Sequence, residues 1–322
     1  MPKILLTNYY NSGPLKIVRK LLPLGFTLIS LDKPGEEEVI RKISDADYLL
    51  VGGRTKINKK ILDGATNLKM IQRSGVGLDS IDLDAIRERG IPLYVNEGIN
   101  ARGVAEHTMM LILGTQRRIS EVNSMTKSGQ WVKHDIGIYC HELYGKTLGL
   151  IGLGRIGQHV ARMANAFGMR VCYYKRHRLS DPDESELGVE WMDLEVLLSS
   201  SDIISLHCPL STENKNMLSK KEFSKMKQGA SLINTSRGGL VEEMALVEAL
   251  KVGQLATAGL DVFHCEPLPK GHSLLELDNV LLTPHISSIT AETFKEMISS
   301  AFNNIALFDA NKSSMIKAKI VL

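Results

Sequence analysis

The segment KTLGLIGLGRIGQHVARMANAFGMRV, residues 146–171, constrains this chain more than any other. It reads as an apolar strand, the turn Gly152-Leu153-Gly154-Arg155-Ile156-Gly157, a helix and a second strand. In that setting each glycine has a separate reason. Gly152 permits the tight turn, Gly154 lets a pyrophosphate approach the backbone, and Gly157 allows the helix to pack close to the strand. The outward N–H groups of the helix start, at Arg155 and Ile156, suit the negative charge of such a ligand. A strand-turn-helix-strand unit of this kind predicts a parallel sheet and a dinucleotide.

The rest of the chain agrees with a parallel sheet. Before residue 100, the strand-like runs KILLTN, FTLISL, DYLLVGG, LKMIQRSG and PLYVN alternate with the helix-like PLKIVRKLL, EEEVIRKI, NKKILDG and DLDAIRERG. After residue 145 the alternation resumes with KTLGLIG, MRVCYY, DIISLHC, ASLINTS, TAGLDVF and NVLLTP. This pattern predicts an α/β protein made of two doubly wound parallel-sheet units. Residues 101–128, apolar in their first half, are expected to form one long helix between them. The segment TAETFKEMISSAFNNIALFDANK is expected to be a helix capped by Thr290, which could return to complete the first unit.

Composition excludes several classes. The net charge is +3, from 39 basic and 36 acidic side chains, too balanced for a nucleic-acid footprint. No apolar run reaches the roughly 18 residues needed to span a membrane, and the start lacks the apolar stretch of a signal peptide. Cys140, Cys172, Cys208 and Cys265 are scattered without a metal or disulfide spacing, which fits a reducing cytoplasm and no metal. His264, Cys265, Glu266, His272 and His285 lie near one another, but in no standard zinc pattern.

The end of the second strand after the glycine turn is basic. An acid about 20 residues on ordinarily binds the adenosine ribose hydroxyls. Here Lys175 stands 21 residues beyond Gly154, followed by Arg176, His177 and Arg178. A carboxylate would repel a 2′-phosphate. Lys175, Arg176 and Arg178 would attract one through charge-assisted hydrogen bonds, so NADP(H) is expected over NAD(H).

Three further stretches place reactive groups just past strand ends: INTSRGGLV with Arg237, LDVFHCEPLP with Glu266, and LLTPHISS with His285. Residues beyond the carboxyl ends of strands converge on one crevice in an open α/β sheet. Arginine can hold a carboxylate or polarise a carbonyl. An imidazolium can protonate a developing alkoxide, and a nearby carboxylate favours and orients it. The set suits reduction of a 2-keto acid. His107, on the apolar helix, reads as a packed, hydrogen-bonded side chain.

ELYGKTLGLIGLGRIG, HCPLSTENKNML, LINTSRGGLVEEMALVEAL and AGLDVFHCEPLP…LDNVLLTPHIS resemble the signature blocks of the D-isomer-specific 2-hydroxyacid dehydrogenase family, in order and spacing. LKMIQRSGVGLDSIDLDAIRERGIPLYVNEGINARGVAEHTM is similar to that family's preceding stretch. The resemblance covers nearly the whole chain. It implies a Rossmann dinucleotide-binding domain, residues 99–287, inserted into a flavodoxin-like substrate domain, residues 1–98 and 288–322, and a homodimer. It implies that Arg237 binds substrate, Glu266 partners the histidine and His285 is the acid/base. It places Asp261 against the nicotinamide carboxamide, and His207, Cys208 and Pro209 along the adenosine, with Thr235 and Ser236 also at the cofactor. The backbone of Gly75, Val76 and Gly77 would cradle the substrate carboxylate. GGRTKI resembles a loop of D-3-phosphoglycerate dehydrogenases, which makes Arg54 a candidate for a phosphate or second acidic group.

The chain departs from the family pattern at Lys175 and at Ser287-Ser288, where small apolar residues or glycine are common. The implied substrates are small D-2-hydroxy acids, of the 3-phosphoglycerate or the hydroxypyruvate/glyoxylate type. Two alternatives stand beside them: a dinucleotide-sensing corepressor-like interaction protein, and a phosphite-type dehydrogenase on the same scaffold.

Overall fold

Short apolar runs form strands here because helices cover both faces of each sheet, so inward and outward residues alike are buried. The computed structural model describes residues 1–52 and 55–316, and the backbone of Ile320 and Val321. In chain order the strands are β1 (Lys3–Leu6), β2 (Thr27–Ile29), β3 (Tyr48–Val51), β4 (Met70–Arg73), β5 (Leu93–Val95), β6 (Thr147–Ile151) and β7 (Arg170–Tyr174). They continue with β8 (Val189–Trp191), β9 (Ile203–Leu206), β10 (Ala230–Asn234), β11 (Leu255–Leu260), β12 (Val280–Leu282) and β13 (Ile320–Val321). The chain divides into two units, Met1–Asn100 with Ile289–Leu322, and Ala101–Ser288.

The first unit holds a sheet in the order β13-β5-β4-β3-β1-β2. Its strands are parallel except β13, which pairs antiparallel with β5. That two-residue edge strand carries no periodicity a sequence reading could use, and it was not expected. Alternate residues feed two cores: Leu5, Leu49 and Ile71 face one, and Ile4, Tyr48 and Met70 the other. The second core is closed by the helix Ala291–Asp309 through Ile298, Phe302 and Ile305. Thr290 caps that helix by accepting from the Thr293 N–H at 3.0 Å.

The second unit holds a parallel sheet in the order β12-β11-β10-β9-β6-β7-β8. Helices Ala101–Gln116 and Arg155–Ala166 cover one face, and Leu194–Ser200, Lys220–Lys225 and Glu243–Lys251 the other. From β6 the chain winds outward to β8, then returns and winds the other way from β9 to β12. The reversal between β6 and β9 is the switch point beside which a doubly wound sheet binds ligands, at the strands' carboxyl ends.

The expected long helix over 101–128 is instead two, Ala101–Gln116 and Ile119–Lys127. Arg118 adopts a left-handed φ of 48°, and the Gln116 carbonyl accepts from the His141 N–H at 2.9 Å. A tertiary partner thus takes the carbonyl that a continuous helix would have used. Among the described residues no helix is long and apolar enough to cross a membrane.

Candidate active site

The glycine turn is held between the ends of two neighbouring strands. Gly152 has φ 100°, and its N–H donates to the Tyr174 carbonyl at 2.9 Å. A Cβ there would lie 2.6 Å from the His207 carbonyl, and one on Gly157 would lie 2.8 Å from the Gly152 oxygen. Both positions therefore exclude a side chain for packing reasons. At Gly154 a Cβ would meet nothing within 4 Å, and no side chain caps the helix Arg155–Ala166 that it precedes. The first-turn N–H groups keep the capacity to accept an anion, as a pyrophosphate requires. Ile156 packs into the core below, whereas Arg155 is exposed.

The basic cluster after β7 separates into two roles. Arg178 donates from Nε and Nη2 to Glu184 at 2.8 and 2.7 Å, and from Nη2 to Asp181 at 3.0 Å. Glu184 is buried and also accepts from the Tyr173 hydroxyl at 2.6 Å, so Arg178 is tied into its own loop. Lys175 and Arg176 have no hydrogen-bond or ion-pair partner of their side chains among the described residues. Lys175 directly follows β7, its carbonyl accepting from the Trp191 indole at 3.3 Å. The Glu213 carboxyl is held down at about 2 by Ser211, its own backbone N–H and Thr212, with a smaller contribution from the Arg176 charge.

The ends of β9 and β10 border the same turn. His207 shares a hydrogen bond of 2.9 Å between Nε2 and the Ser205 hydroxyl, and burial pushes it down to about 4, so it is neutral. Burial raises the Cys208 thiol to about 11, which makes it inert at neutral pH. The Cys208 carbonyl accepts from the Ser236 hydroxyl at 2.5 Å, and the carbonyl of exposed Pro209 from Asn214 at 2.8 Å. Thr235 is buried, its hydroxyl 2.9 Å from that of Thr108.

Arg237, Glu266 and His285 follow the adjacent parallel strands β10, β11 and β12. Asn234 fixes the first loop by donating to the Arg237 carbonyl at 2.9 Å and accepting from the Ser236 N–H at 3.0 Å. Gly238 is pressed against the second loop: a Cβ would lie 2.0 Å from the Phe263 carbonyl carbon. Glu243 accepts from the His264 N–H at 3.1 Å and pairs with His272 Nε2 at 2.9 Å, clamping that loop from the other side. Glu243 did not stand out in the sequence, and His272 did so only within a group of metal-ligand types, because their effect on this loop depends on packing.

Glu266 accepts from the Phe263 N–H through Oε1 at 3.1 Å, and its Oε2 lies 2.6 Å from His285 Nδ1. With a carboxylate at Nδ1, that nitrogen carries a proton and donates, and Nε2 is left to exchange a proton with a ligand. This is the geometry of an oriented acid/base. His285 itself has φ 53°, and its N–H donates to the Thr283 carbonyl at 3.0 Å.

Asp261, fully buried, anchors the same loop. Its Oδ1 accepts from the Thr283 hydroxyl at 2.6 Å and the Ile286 N–H at 2.9 Å, and Oδ2 from the Ser287 N–H at 2.9 Å. Those contacts are to the loop that carries His285, a role that the family resemblance did not suggest. Ser287 is buried and takes part through its backbone, and nothing in the structure explains the choice of serine there.

In the other unit, the Gly75-Val76-Gly77 turn follows β4. The Gly75 carbonyl accepts from the Asn96 N–H at 3.1 Å and the Gly77 carbonyl from Arg73 Nε at 2.9 Å. Arg73 is buried and also donates to the Gly52 carbonyl. Arg54 lies outside the described residues. Among the described residues no group of three metal-ligating side chains converges.

A parallel sheet of Rossmann order, a glycine turn without a side-chain cap and an oriented histidine define a nicotinamide-dinucleotide oxidoreductase. Residues 109–287 match the model of the D-isomer specific 2-hydroxyacid dehydrogenase NAD binding domain. A glyoxylate reductase of Thermofilum pendens is 42% identical over 274 residues, 84% of this chain and 81% of that protein. A hydroxypyruvate reductase of Thermotoga maritima is 40% identical over 280 residues, 84% of this chain and 89% of that protein. The structure of D-lactate dehydrogenase from Aquifex aeolicus, complexed with NAD and lactic acid, superposes with a TM-score of 0.85 at 30% identity, covering 99% of this chain and 98% of that one. The chain belongs to the D-isomer-specific 2-hydroxyacid dehydrogenase family. Its chemistry is hydride transfer between a nicotinamide cofactor and C2 of a small 2-hydroxy or 2-keto acid.

Proposed function

We propose that this protein reduces short 2-keto acids of the glyoxylate and hydroxypyruvate type to D-2-hydroxy acids, with NADPH preferred over NADH. The observation that carries the reading is the 2.6 Å pairing of His285 Nδ1 with Glu266, across the ends of the neighbouring strands β12 and β11, with Asp261 also after β11 and Arg237 after β10 beside it. When bound, the reduced nicotinamide supplies hydride to C2. His285 gives the proton on Nε2 to the oxygen that becomes the alkoxide, while Glu266 holds Nδ1 and stabilises the charged ring until transfer. Arg237 holds the substrate carboxylate by its planar fork, and the backbone N–H groups of Gly75, Val76 and Gly77 are suited to a substrate carboxylate.

Residues 1–98 and 288–322 form the substrate domain, and 99–287 the dinucleotide domain. The glycine turn from Gly152 to Gly157 binds the pyrophosphate. Lys175 and Arg176, without partners of their own among the described residues, bind the adenosine 2′-phosphate. Two copies form a homodimer through the segment after helix Ala101–Gln116, where Ile119, Trp131, Ile138, Tyr139 and Tyr144 are exposed, Trp131 at 85%. Cys140, Cys172, Cys208 and Cys265 are unpaired, which supports a reducing cytoplasm. The names of the relatives support the substrate class.

The test is steady-state turnover of glyoxylate, hydroxypyruvate and 3-phosphohydroxypyruvate with each reduced dinucleotide. His285→Ala is expected to lower kcat about 10²- to 10⁴-fold. Glu266→Gln is expected to lower it about 10²-fold, because Phe263 and His285 meet different carboxylate oxygens and the amide replaces one of them with a donor NH2 group. Full turnover by His285→Ala on every accepted keto acid would overturn the assignment.

A further inference from the structure

His107 projects from the helix Ala101–Gln116, whose neighbouring positions Val104, Ala105, Thr108 and Leu111 are buried. On sequence grounds it is a packed, hydrogen-bonded side chain. The structure shows what it is bonded to. Its Nε2 lies 2.9 Å from the Thr283 hydroxyl, 176 residues away in the chain, and 3.6 Å from Asp261 Oδ1. Thr283 in turn donates to Asp261, and Asp261 accepts from the two N–H groups that follow His285.

The direction of each bond in this chain is determined. A hydroxyl has one proton, and a carboxylate only accepts, so the Thr283 proton goes to Asp261. Thr283 can therefore only accept from His107, which must carry its proton on Nε2. Burial lowers the proton affinity of His107 against the opposing pull of Asp261, which keeps the ring neutral. A neutral ring with Nε2–H has one donor, and Thr283 receives it. The consequence is a set of donors that converges on Asp261: His107 through Thr283 from one side, and from the other the two N–H groups of the loop where His285 sits in a left-handed conformation that residues with a Cβ seldom adopt.

We propose that His107 is a positioning residue for His285: it orients Thr283, Thr283 orients Asp261, and Asp261 pins the Ile286 and Ser287 N–H groups so that the His285 ring stays against Glu266. The inference rests on the reading of His285 as the acid/base. It needs no contact of His107 with substrate or cofactor. Its effect is confined to the loop geometry, so it acts on kcat and leaves binding alone.

The experiment measures kcat and KM for glyoxylate and NADPH, and the NADPH Kd by fluorescence, in variants of the whole chain. His107→Phe removes the donor and is expected to lower kcat about tenfold, with both KM values and the Kd within about twofold of wild type. His107→Gln, whose amide can donate to Thr283, is expected to recover kcat to within about threefold. Thr283→Val breaks the chain at its centre without altering the helix face and is expected to be at least as slow, with Thr283→Ser close to wild type. The double variant His107→Phe/Thr283→Val is expected to be no slower than Thr283→Val alone, because one series of bonds can be broken only once. Wild-type kcat in His107→Phe, failure of His107→Gln or Thr283→Ser to rescue, or effects that multiply in the double variant would each overturn the proposal. His285→Ala separates the two readings. If it is inactive while His107→Phe is unaffected, only the positioning role fails; if it turns over fully, the acid/base reading fails first.

Discussion

Replacing Lys175 with Asp inverts the charge at the end of β7, one residue beyond the carbonyl that receives the Gly152 N–H at 2.9 Å. Lys175 is half-buried, so on the proposed NADP(H) reading a hydrogen bond from it to a 2′-phosphate would fall at the lower end of the roughly 1.5–3 kcal/mol range for charged partners. Losing it lowers kcat/KM for NADPH about tenfold, and the carboxylate's repulsion of the phosphate lowers it further. The same carboxylate can accept from a ribose 2′-hydroxyl, raising kcat/KM for NADH several-fold. Together the NADPH/NADH ratio is expected to move by about 10²-fold. The assay is the absorbance decay of each reduced dinucleotide at saturating keto acid, repeated at low and high salt. The wild-type preference should shrink at about 1 M salt, where the screening length drops to about 3 Å. Arg178→Ala is the internal control: with its guanidinium already on Glu184 and Asp181, the ratio should stay within about twofold. A wild type that uses NADH as well as NADPH, or an Arg178→Ala shift as large as that of Lys175→Asp, would refute the reasoning.

Gly152→Ala is expected to cost about 2–4 kcal/mol and lower Tm in calorimetry, since φ 100° and the His207 carbonyl at 2.6 Å both oppose a Cβ. Arg178→Ala should lower Tm at neutral pH but not in acid. Glu184 is depressed in the folded state, chiefly by Arg178, so its contribution is present above its unfolded value of about 4.5 and is lost as pH falls through the lower folded value. A Tm difference that does not change with pH would contradict that pairing. In sedimentation, wild type is expected as a dimer and Trp131→Glu/Ile138→Lys as a monomer with unchanged far-ultraviolet dichroism. A dimeric double variant would move the interface elsewhere.

The alternation of strands and helices was legible because buried parallel strands are unbroken apolar runs, as in Tyr48-Leu49-Leu50-Val51, all buried. It failed where that signal is weak. β8, Val189-Glu190-Trp191, is a three-residue edge strand with an exposed centre, and β13 has only two residues. The break between Gln116 and Ile119 was invisible, because the residue that competes for the Gln116 carbonyl is His141. At the site, the placing of Arg237, Glu266 and His285 after strands was legible from local sequence. The division of labour within the basic cluster was not, since Glu184 lies on the next helix and only folding brings it to Arg178.

By itself the sequence determined the order of the elements and which chemical groups stand at their ends, since both follow from local periodicity and turn chemistry. Tertiary structure alone decided which donor meets which acceptor. The 2.6 Å approach of Glu266 to His285 and the series from His107 through Thr283 to Asp261 join segments up to 176 residues apart. Hydrogen bonds lose their strength within a fraction of an ångström, a precision set by packed layers of side chains and not by any stretch of chain.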